Sequence, residues 1–167
     1  MSQMFNHDVI HILSKEELKQ PSRSLERRQK LEQIVRQRAS YEDMAKRSLG
    51  MPWMELTDAE RREFAGLFVQ LLCDMFAGRI DVYADEQVLY LTEQLEKNFA
   101  EVRTRLSDQK MEALLDFWLA EKSGHWYAYD VVIDGSSIVD KYHAQVTSIL
   151  RHHSYPDLVN KMKEKHL

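Results

Sequence analysis

The sequence predicts an α+β fold in which an antiparallel sheet of about four strands carries helices over one face. Apolar residues recur at every third or fourth position over residues 57–78, which is the period of an amphipathic helix. The period changes to two over residues 87–106 and 126–134, as in half-buried strands. Helical spacing returns after residue 136, so we expect the sheet to lie between two helical segments.

Composition indicates one domain with a sizeable core. The chain has 167 residues, of which 44% are hydrophobic and 30% charged, and it contains only 5 Gly and 3 Pro. We therefore expect a single domain over residues 1–167, mainly helical over 1–85, a sheet over 86–135 and closing helices over 136–167. The net charge of −4 argues against nucleic acid as a partner, since domains that bind it are usually basic.

The chain shows no membrane-spanning or targeting pattern. No apolar run approaches the roughly 20 residues that a spanning helix needs. His7, Asp8 and His11 interrupt the N-terminal apolar positions, so no signal-peptide core is recognisable. Either a cytoplasmic protein or a mature chain restarted at Met1 would give this pattern.

Two helices are expected before residue 39. The first covers residues 4–19 and ends before Pro21; the second begins near Ser22 and Ser24. Basic residues from Arg27 to Arg38 alternate with the apolar positions of the second helix. A solvated helix face is the commoner explanation of such a run, and a docking surface for an anionic partner or lipid headgroups is the alternative.

Two capping patterns define the next helices. Ser40 with Asp43 predicts a capping box that opens a short helix ending at Gly50. Thr57 with Glu60 predicts a second box, which opens the long helix that runs to Gly78. The wide aromatic face of this helix is ordinarily packed core.

Alternation predicts strands over residues 87–91 and 100–106. Residues 111–121 are more apolar and could form a helix by propensity, but the hairpin turn expected at 122–125 favours a strand that leads into another strand over 126–134. In the last strand the residues expected on one face are Tyr127, Tyr129, Val131 and Ile133.

Capping residues also predict where the closing helices begin. Ser137, with Asp140 three residues later, predicts the start of a helix over residues 138–151. Ser154, Pro156 and Asp157 predict the start of a last helix after a short His-His joint.

Few residues suggest catalysis or metal binding. The nucleotide, lipase and zinc-protease motifs are missing. His7 and His11 have the spacing of a metal pair but no third ligand nearby, and Cys73 lies among Leu and Met residues, which is typical of a buried thiol. Asp130 and Asp134 could form an acid–base pair, although turn, cap and sheet-edge roles explain both carboxylates without catalysis.

Several segments resemble one family. YDVVIDGSSIVDKY is similar to the YDVVIEGVSLVxNY signature of the MlaC, or toluene-tolerance, family, and FAEVRTRL is similar to its AEVRTxL strand. RRQKLEQIVRQRASYEDMAKRSLGMPWMELTDAERREFAGLFVQLL and HAQVTSILRHHSYPDLVNKMKEK resemble two longer family segments, in the same order and spacing. The chain departs from the pattern where the usual Asn-Tyr-Arg is Lys141-Tyr142-His143, where a Phe is Val146, and over residues 107–115.

This resemblance implies a fold and a function. The fold would be an NTF2-like cone with extra helices and an apolar cavity between sheet and helices. The protein would be a periplasmic phospholipid carrier of an Mla-type ABC transport system, a monomer that meets an inner-membrane transporter complex and an outer-membrane lipoprotein complex, with no enzymatic activity and no cofactor besides the bound lipid. Another lipid, such as a hopanoid, an enzyme using Asp130 and Asp134, and a plain interaction module remain as alternatives.

The resemblance and the inferred inward direction together select the candidate lipid-lining residues. These are Trp53, Phe68, Leu72, Met75, Phe76, Tyr83, Phe117, Val131, Ile133, Ile138, Val139 and Tyr142.

Overall fold

A computed structural model describes residues 24–82, 87–107, 112–165 and 167. Over these residues the helices are α1 Ser24–Arg38, α2 Tyr41–Leu49, α3 Asp58–Val82, α4 Ile138–Leu150 and α5 Tyr155–Lys163, with a 3-10 turn at Met51–Glu55. The strands are β1 Gln87–Glu96, β2 Phe99–Ser107, β3 Glu112–Lys122, β4 His125–Ile133 and β5 Ser136–Ser137. The predicted α+β class is confirmed.

The sheet is an antiparallel meander in the order β1-β2-β3-β4-β5. Four strands are long, as expected, and the fifth is a two-residue strand that precedes α4. The predicted hairpin between β3 and β4 is confirmed. Its two-residue turn, Ser123-Gly124, has positive φ at both positions, which matches the twist of the flanking strands.

Because β4 contains a β-bulge, the prediction that four of its side chains share one face of the sheet is wrong for two of them. Trp118 pairs with Asp130 and Leu119 pairs with Ala128, so Tyr129 is an extra residue on β4. Val131 and Ile133 do face the core, but Tyr129 packs its ring against Trp118 on the other side of the sheet. Before the bulge, Ala128 is the fully buried residue. Tyr127 and Tyr129 therefore do not share a face with Val131 and Ile133, because the extra residue changes the phase of the alternation.

The capping predictions for α2 and α3 have different outcomes. Thr57 and Glu60 form the predicted box, with each backbone N–H donating to the other side chain at 2.9 and 3.1 Å. Ser40 precedes α2, but its side chain makes no capping bond, so that predicted box is wrong. The Ser40 backbone N–H donates to the Ala128 oxygen at 2.8 Å, which ties Ser40 to β4 with a ψ of 64°. An extended ψ would be needed for the usual cap geometry.

The remaining helix boundaries largely follow the predictions. α3 continues past Gly78 to Val82, because an isolated glycine lowers helix stability by about 1 kcal/mol without breaking the backbone ladder. Ser137 caps α4, and Ser154 with Asp157 forms a complete capping box on α5, as predicted. None of the described helices is both long and apolar enough to cross a membrane.

The core lies between the inner face of the sheet and the helices. Helix α3 packs against α1, α2 and α5, while α4 packs against α2 and β4. Cys73 is fully buried in this core, and burial raises the pKa of its thiol to about 11, so the predicted role as a small hydrophobe is confirmed. The predicted helix over residues 4–19, the His7–His11 pair, Tyr83 and the Phe76 side chain lie outside what the structure describes.

Candidate functional site

The sheet contributes an apolar wall of paired residues from three strands. Phe117 on β3 pairs with Val102 on β2 and Val131 on β4. Two residues before Phe117 on β3, Leu115 pairs with Ile133 on β4. All five side chains are buried, and Phe117 is completely so. Alternation places every second residue of β3 on this wall, so the centre of the sheet's inner face has no polar side chain at these positions.

The helices contribute the facing wall. Phe68 and Leu72 lie one turn apart on α3, and Ile138, Val139 and Tyr142 lie on the first turns of α4; all are buried. The Phe68 and Tyr142 rings meet edge to face, with centroids 5.7 Å apart, and this contact joins the two helices. Burial raises the pKa of the Tyr142 phenol, and the Asp74 carboxylate adds to the effect, so this side chain stays neutral.

The structure brings most of the predicted lining residues into one apolar cluster, which we call the inner cluster. It contains Trp53, Phe68, Leu72, Phe117, Val131, Ile133, Ile138, Val139 and Tyr142 among its buried members, and Met75 packs against it half-buried. Contact of these residues with lipid stays a prediction. Trp53 has a second role, because its ring meets Phe64 at 6.3 Å and the Arg61 guanidinium at 5.6 Å and so fastens the 3-10 turn to α3.

Five members of the inner cluster on the sheet were not among the predicted lining residues. Val102, Leu115 and Leu119 follow the alternation of their strands, and that period identifies them as inward. Ala100 and Ala128 are buried small residues that carry little hydrophobic signal. Strict alternation from Val131 and Ile133 would also place Ala128 on the outer face, and only the bulge brings it to the inner face.

Asp130 serves as a structural joint between the sheet and α4. Its carboxylate accepts hydrogen bonds from the Ser137 hydroxyl and from the backbone N–H groups of Val131 at 2.8 Å and Val139 at 3.3 Å. A carboxylate at a helix N-terminus is stabilised by the free N–H groups and the helix dipole. Because neighbouring residues on a strand point to opposite faces, Asp130 faces away from the wall that Val131 enters.

Asp134 occupies the corner after β4. It has a φ of 48°, and its carboxylate accepts from the Leu114 backbone N–H at 2.9 Å. Asp and Asn are among the residues that tolerate such left-handed backbone. The two carboxylates considered for acid–base chemistry are thus both engaged in holding the corner between β4 and α4.

A second corner joins α2 to α4. Gly50 ends α2 with a φ of 79°. Two residues earlier, the backbone oxygen of Ser48 lies 3.2 Å from Nδ1 of His143 on α4. A Cβ at position 50 would lie 2.8 Å from Cε1 of the same imidazole. His143 replaces the arginine of the family pattern, so the tight fit to Gly50 is made by a residue that departs from that pattern.

The basic face of α1 is largely paired within the chain. Arg28 forms an ion pair with Asp74 and donates to the Gln70 side-chain oxygen at 2.7 Å, which fastens α1 to α3. Arg36 pairs with Glu32 one turn away at 3.2 Å. Exposed pairs of this kind contribute about 0.3–0.5 kcal/mol each. These contacts favour the interpretation of the basic run as a solvated and internally paired helix face.

Comparisons with known proteins agree with this fold. The model of the family described as "MlaC protein" matches residues 3–164. A solved phospholipid-binding protein from Ralstonia solanacearum, determined in complex with a phospholipid, aligns with a TM-score of 0.78 and 20% sequence identity, covering 98% of this chain and 93% of its own. No curated protein matches the sequence. At that identity the solved structure shows a shared fold.

Proposed function

Because the chain belongs to the MlaC family, we propose that it is a carrier that binds a phospholipid by its acyl chains and shields them from water. The observation that carries this proposal is the pair of facing apolar walls in the inner cluster, one from the sheet and one from α3 and α4. Support also comes from the fold shared with a phospholipid-binding protein.

The walls have the chemistry that acyl chains require. Each methylene moved from water to apolar surroundings contributes about 0.8 kcal/mol, so two chains supply ample affinity without specific polar contacts. In the proposed complex the chains lie between the sheet wall and the helix wall, which are apolar along β3 and along the first turns of α4. The headgroup remains near the opening of the resulting cavity.

The family membership also motivates the setting that we propose. The carrier works in the periplasm, between an inner-membrane ABC transporter complex and an outer-membrane lipoprotein complex, and it has no catalytic activity. The structural roles of Asp130 and Asp134 support the last point, because hydrogen-bonded corner carboxylates account for both residues.

The direct test is to analyse the lipid that accompanies the protein. We expect native purification, solvent extraction and mass spectrometry to give a stoichiometric phospholipid, and the delipidated protein to take up labelled phospholipid from vesicles. The mass also distinguishes a phospholipid from another lipid such as a hopanoid. No stoichiometric lipid combined with no uptake would refute the carrier proposal.

A pair of tryptophan substitutions locates the site. Leu72→Trp adds bulk to the helix wall, and Leu114→Trp adds the same bulk on the outer face of the sheet, to a side chain that is 44% exposed. We expect Leu72→Trp to lower lipid occupancy severalfold and Leu114→Trp to leave it unchanged. Thermal unfolding of both variants checks that they are folded, since overpacking a filled core costs about 1–3 kcal/mol. Equal occupancy in two folded variants would show that lipid does not lie against α3.

A further inference from the structure

The outer face of the sheet, opposite the inner cluster, carries an exposed group of aromatic rings. Phe99 is 56% and Trp118 is 38% exposed. The Tyr129 ring meets Phe99 at 6.0 Å and Trp118 at 6.4 Å, nearly perpendicular to both. The rings and their neighbours enclose a depression of about 120 Å³, which we call the outer-face pocket. It is lined by Gln94, Glu96, Phe99, Ala100, Glu101, Trp118 and Tyr129.

The polar groups of this pocket are mainly hydrogen-bond acceptors with negative charge. Glu96 and Glu101 contribute carboxylates and Gln94 contributes an amide oxygen. Glu101 shares Arg103 with Asp116, at 3.1 and 3.6 Å, so the single arginine is divided between two carboxylates. The residues described around the pocket thus include two carboxylates and no cationic side chain.

One guanidinium already lies on this aromatic group. The Arg47 guanidinium carbon lies 5.8 Å from the Tyr129 ring centre, and its Nη2 donates to the Tyr129 backbone oxygen. Asp43 balances that charge at 3.0 Å. Tyr129 thus shows that the ring group accepts a flat cation, while the Phe99 and Trp118 rings remain exposed.

We propose that the outer-face pocket binds the guanidinium group of an arginine side chain presented by a partner protein. Ring faces attract cations, and a guanidinium adds stacking and five N–H donors that fit carboxylate oxygens. A quaternary ammonium has no N–H to offer Glu96 and Glu101, and a lysine ammonium is compact and strongly hydrated. A depression of about 120 Å³ has room for the flat guanidinium group at the end of an arginine side chain.

This site is independent of the lipid proposal. β2 and β3 turn Phe99 and Trp118 outward and Ala100 and Phe117 inward, so the sheet separates the outer-face pocket from the inner cluster. A partner could therefore hold the protein by this face whether or not lipid is bound on the other.

The test is a titration of the full-length protein with N-acetyl-arginine methylamide at low salt, followed by the indole N–H resonance of Trp118. Trp118→Phe identifies that resonance. We expect saturable binding with a Kd on the order of millimolar, and affinity at least about fivefold weaker for the lysine analogue and for choline. No saturable shift, or equal or tighter binding of lysine or choline, would overturn the proposal.

Matched variants show whether the pocket itself binds. Phe99→Ala and Glu96→Gln should each weaken arginine binding by about 2- to 5-fold. Leu114→Ala is the control, because Leu114 is 44% exposed on the same outer face of β3 but does not line the pocket. Equal effects of Phe99→Ala and Leu114→Ala would also overturn it. Lipid occupancy of Phe99→Ala, measured on the same sample, should be unchanged, which separates failure of this inference from failure of the carrier proposal.

Discussion

Substitution of Gly50 by alanine tests the corner between α2 and α4. Gly50 has φ 79° and ψ −145°, close to a region that glycine alone populates, and its missing Cβ would lie 2.8 Å from Cε1 of His143. Two penalties are therefore expected in Gly50→Ala. One is backbone strain, and the other is the contact with the imidazole.

The two penalties have different sizes and different remedies. Backbone strain in such a region costs about 1–3 kcal/mol. Forcing extra volume into a packed contact costs about another 1–3 kcal/mol, although part of it is relieved if the His143 ring moves. In a His143→Ala background only the backbone penalty should remain, so Gly50→Ala should cost about 1–3 kcal/mol less there than in the wild type. Loss of the imidazole contact with the Ser48 oxygen makes His143→Ala itself destabilising by about 1 kcal/mol or less.

The assay is urea unfolding of the wild type, both single variants and the double variant, followed by circular dichroism. Gly124→Ala serves as a comparison, since Gly124, in the hairpin turn, has a φ of 78° but no atom within 4 Å of the position that a Cβ would take, so it reports the strain of a left-handed turn residue without a contact. A coupling energy below about 0.5 kcal/mol would refute the close contact between Gly50 and His143. A wild-type cost for Gly50→Ala no greater than that for Gly124→Ala would do the same.

Three further outcomes follow from the described contacts. Asp130→Ala should lower the free energy of unfolding, measured with urea, by about 1–3 kcal/mol, because it leaves hydroxyl and amide donors at the start of α4 unpaired. Unchanged stability would contradict the role of Asp130 in joining the sheet to α4. Hydrogen bonds from Ser154 hold the pKa of Asp157 below its ordinary value of 3.8, so its contribution to stability is present above that value and is lost as the pH falls through the folded pKa. The melting temperature of Asp157→Asn should consequently fall less steeply than that of the wild type as the pH is lowered. If the two plots of melting temperature against pH run parallel, the Asp157 carboxylate does not stabilise the start of α5. Cys73, with a pKa raised by burial to about 11, should react with a thiol reagent at neutral pH only after unfolding, and rapid labelling of the native protein would show that it is accessible.

The elements that the sequence predicted best are those set by local chemistry. The Thr57–Glu60 box and the caps of α4 and α5 depend on residues three apart, and the structure forms all of them. The strand β3 was recognisable from the hairpin turn that follows it, since its own apolar residues would also suit a helix. Inward direction was also predictable for Phe117, Val131 and Ile133, since each lies on a regular stretch of strand.

The misses come from contacts distant in sequence. Ser40 has the residue type of a cap, but its backbone is tied to Ala128, 88 positions away, and that bond fixes its dihedral angles. The facing of Tyr129 depends on how β4 pairs with β3, which no local period encodes. The aromatic group of the outer-face pocket could not be predicted for the same reason, because Phe99, Trp118 and Tyr129 come together only when β2, β3 and β4 are paired.

The bulge at Tyr129 lets β4 contain one extra residue without exchanging the two faces of the sheet. The regular stretch before the bulge buries Ala128, and the regular stretch after it buries Val131 and Ile133. Deleting Tyr129 would leave Asp130 directly after Ala128 and keep the pairing with β3, so the wall of the inner cluster would be preserved and only one ring of the outer face would be lost. Deleting one residue within a regular stretch would instead move the residues beyond it to the opposite face. A change of one residue in the length of β4 is therefore expected to be tolerated at the bulge and not elsewhere in the strand.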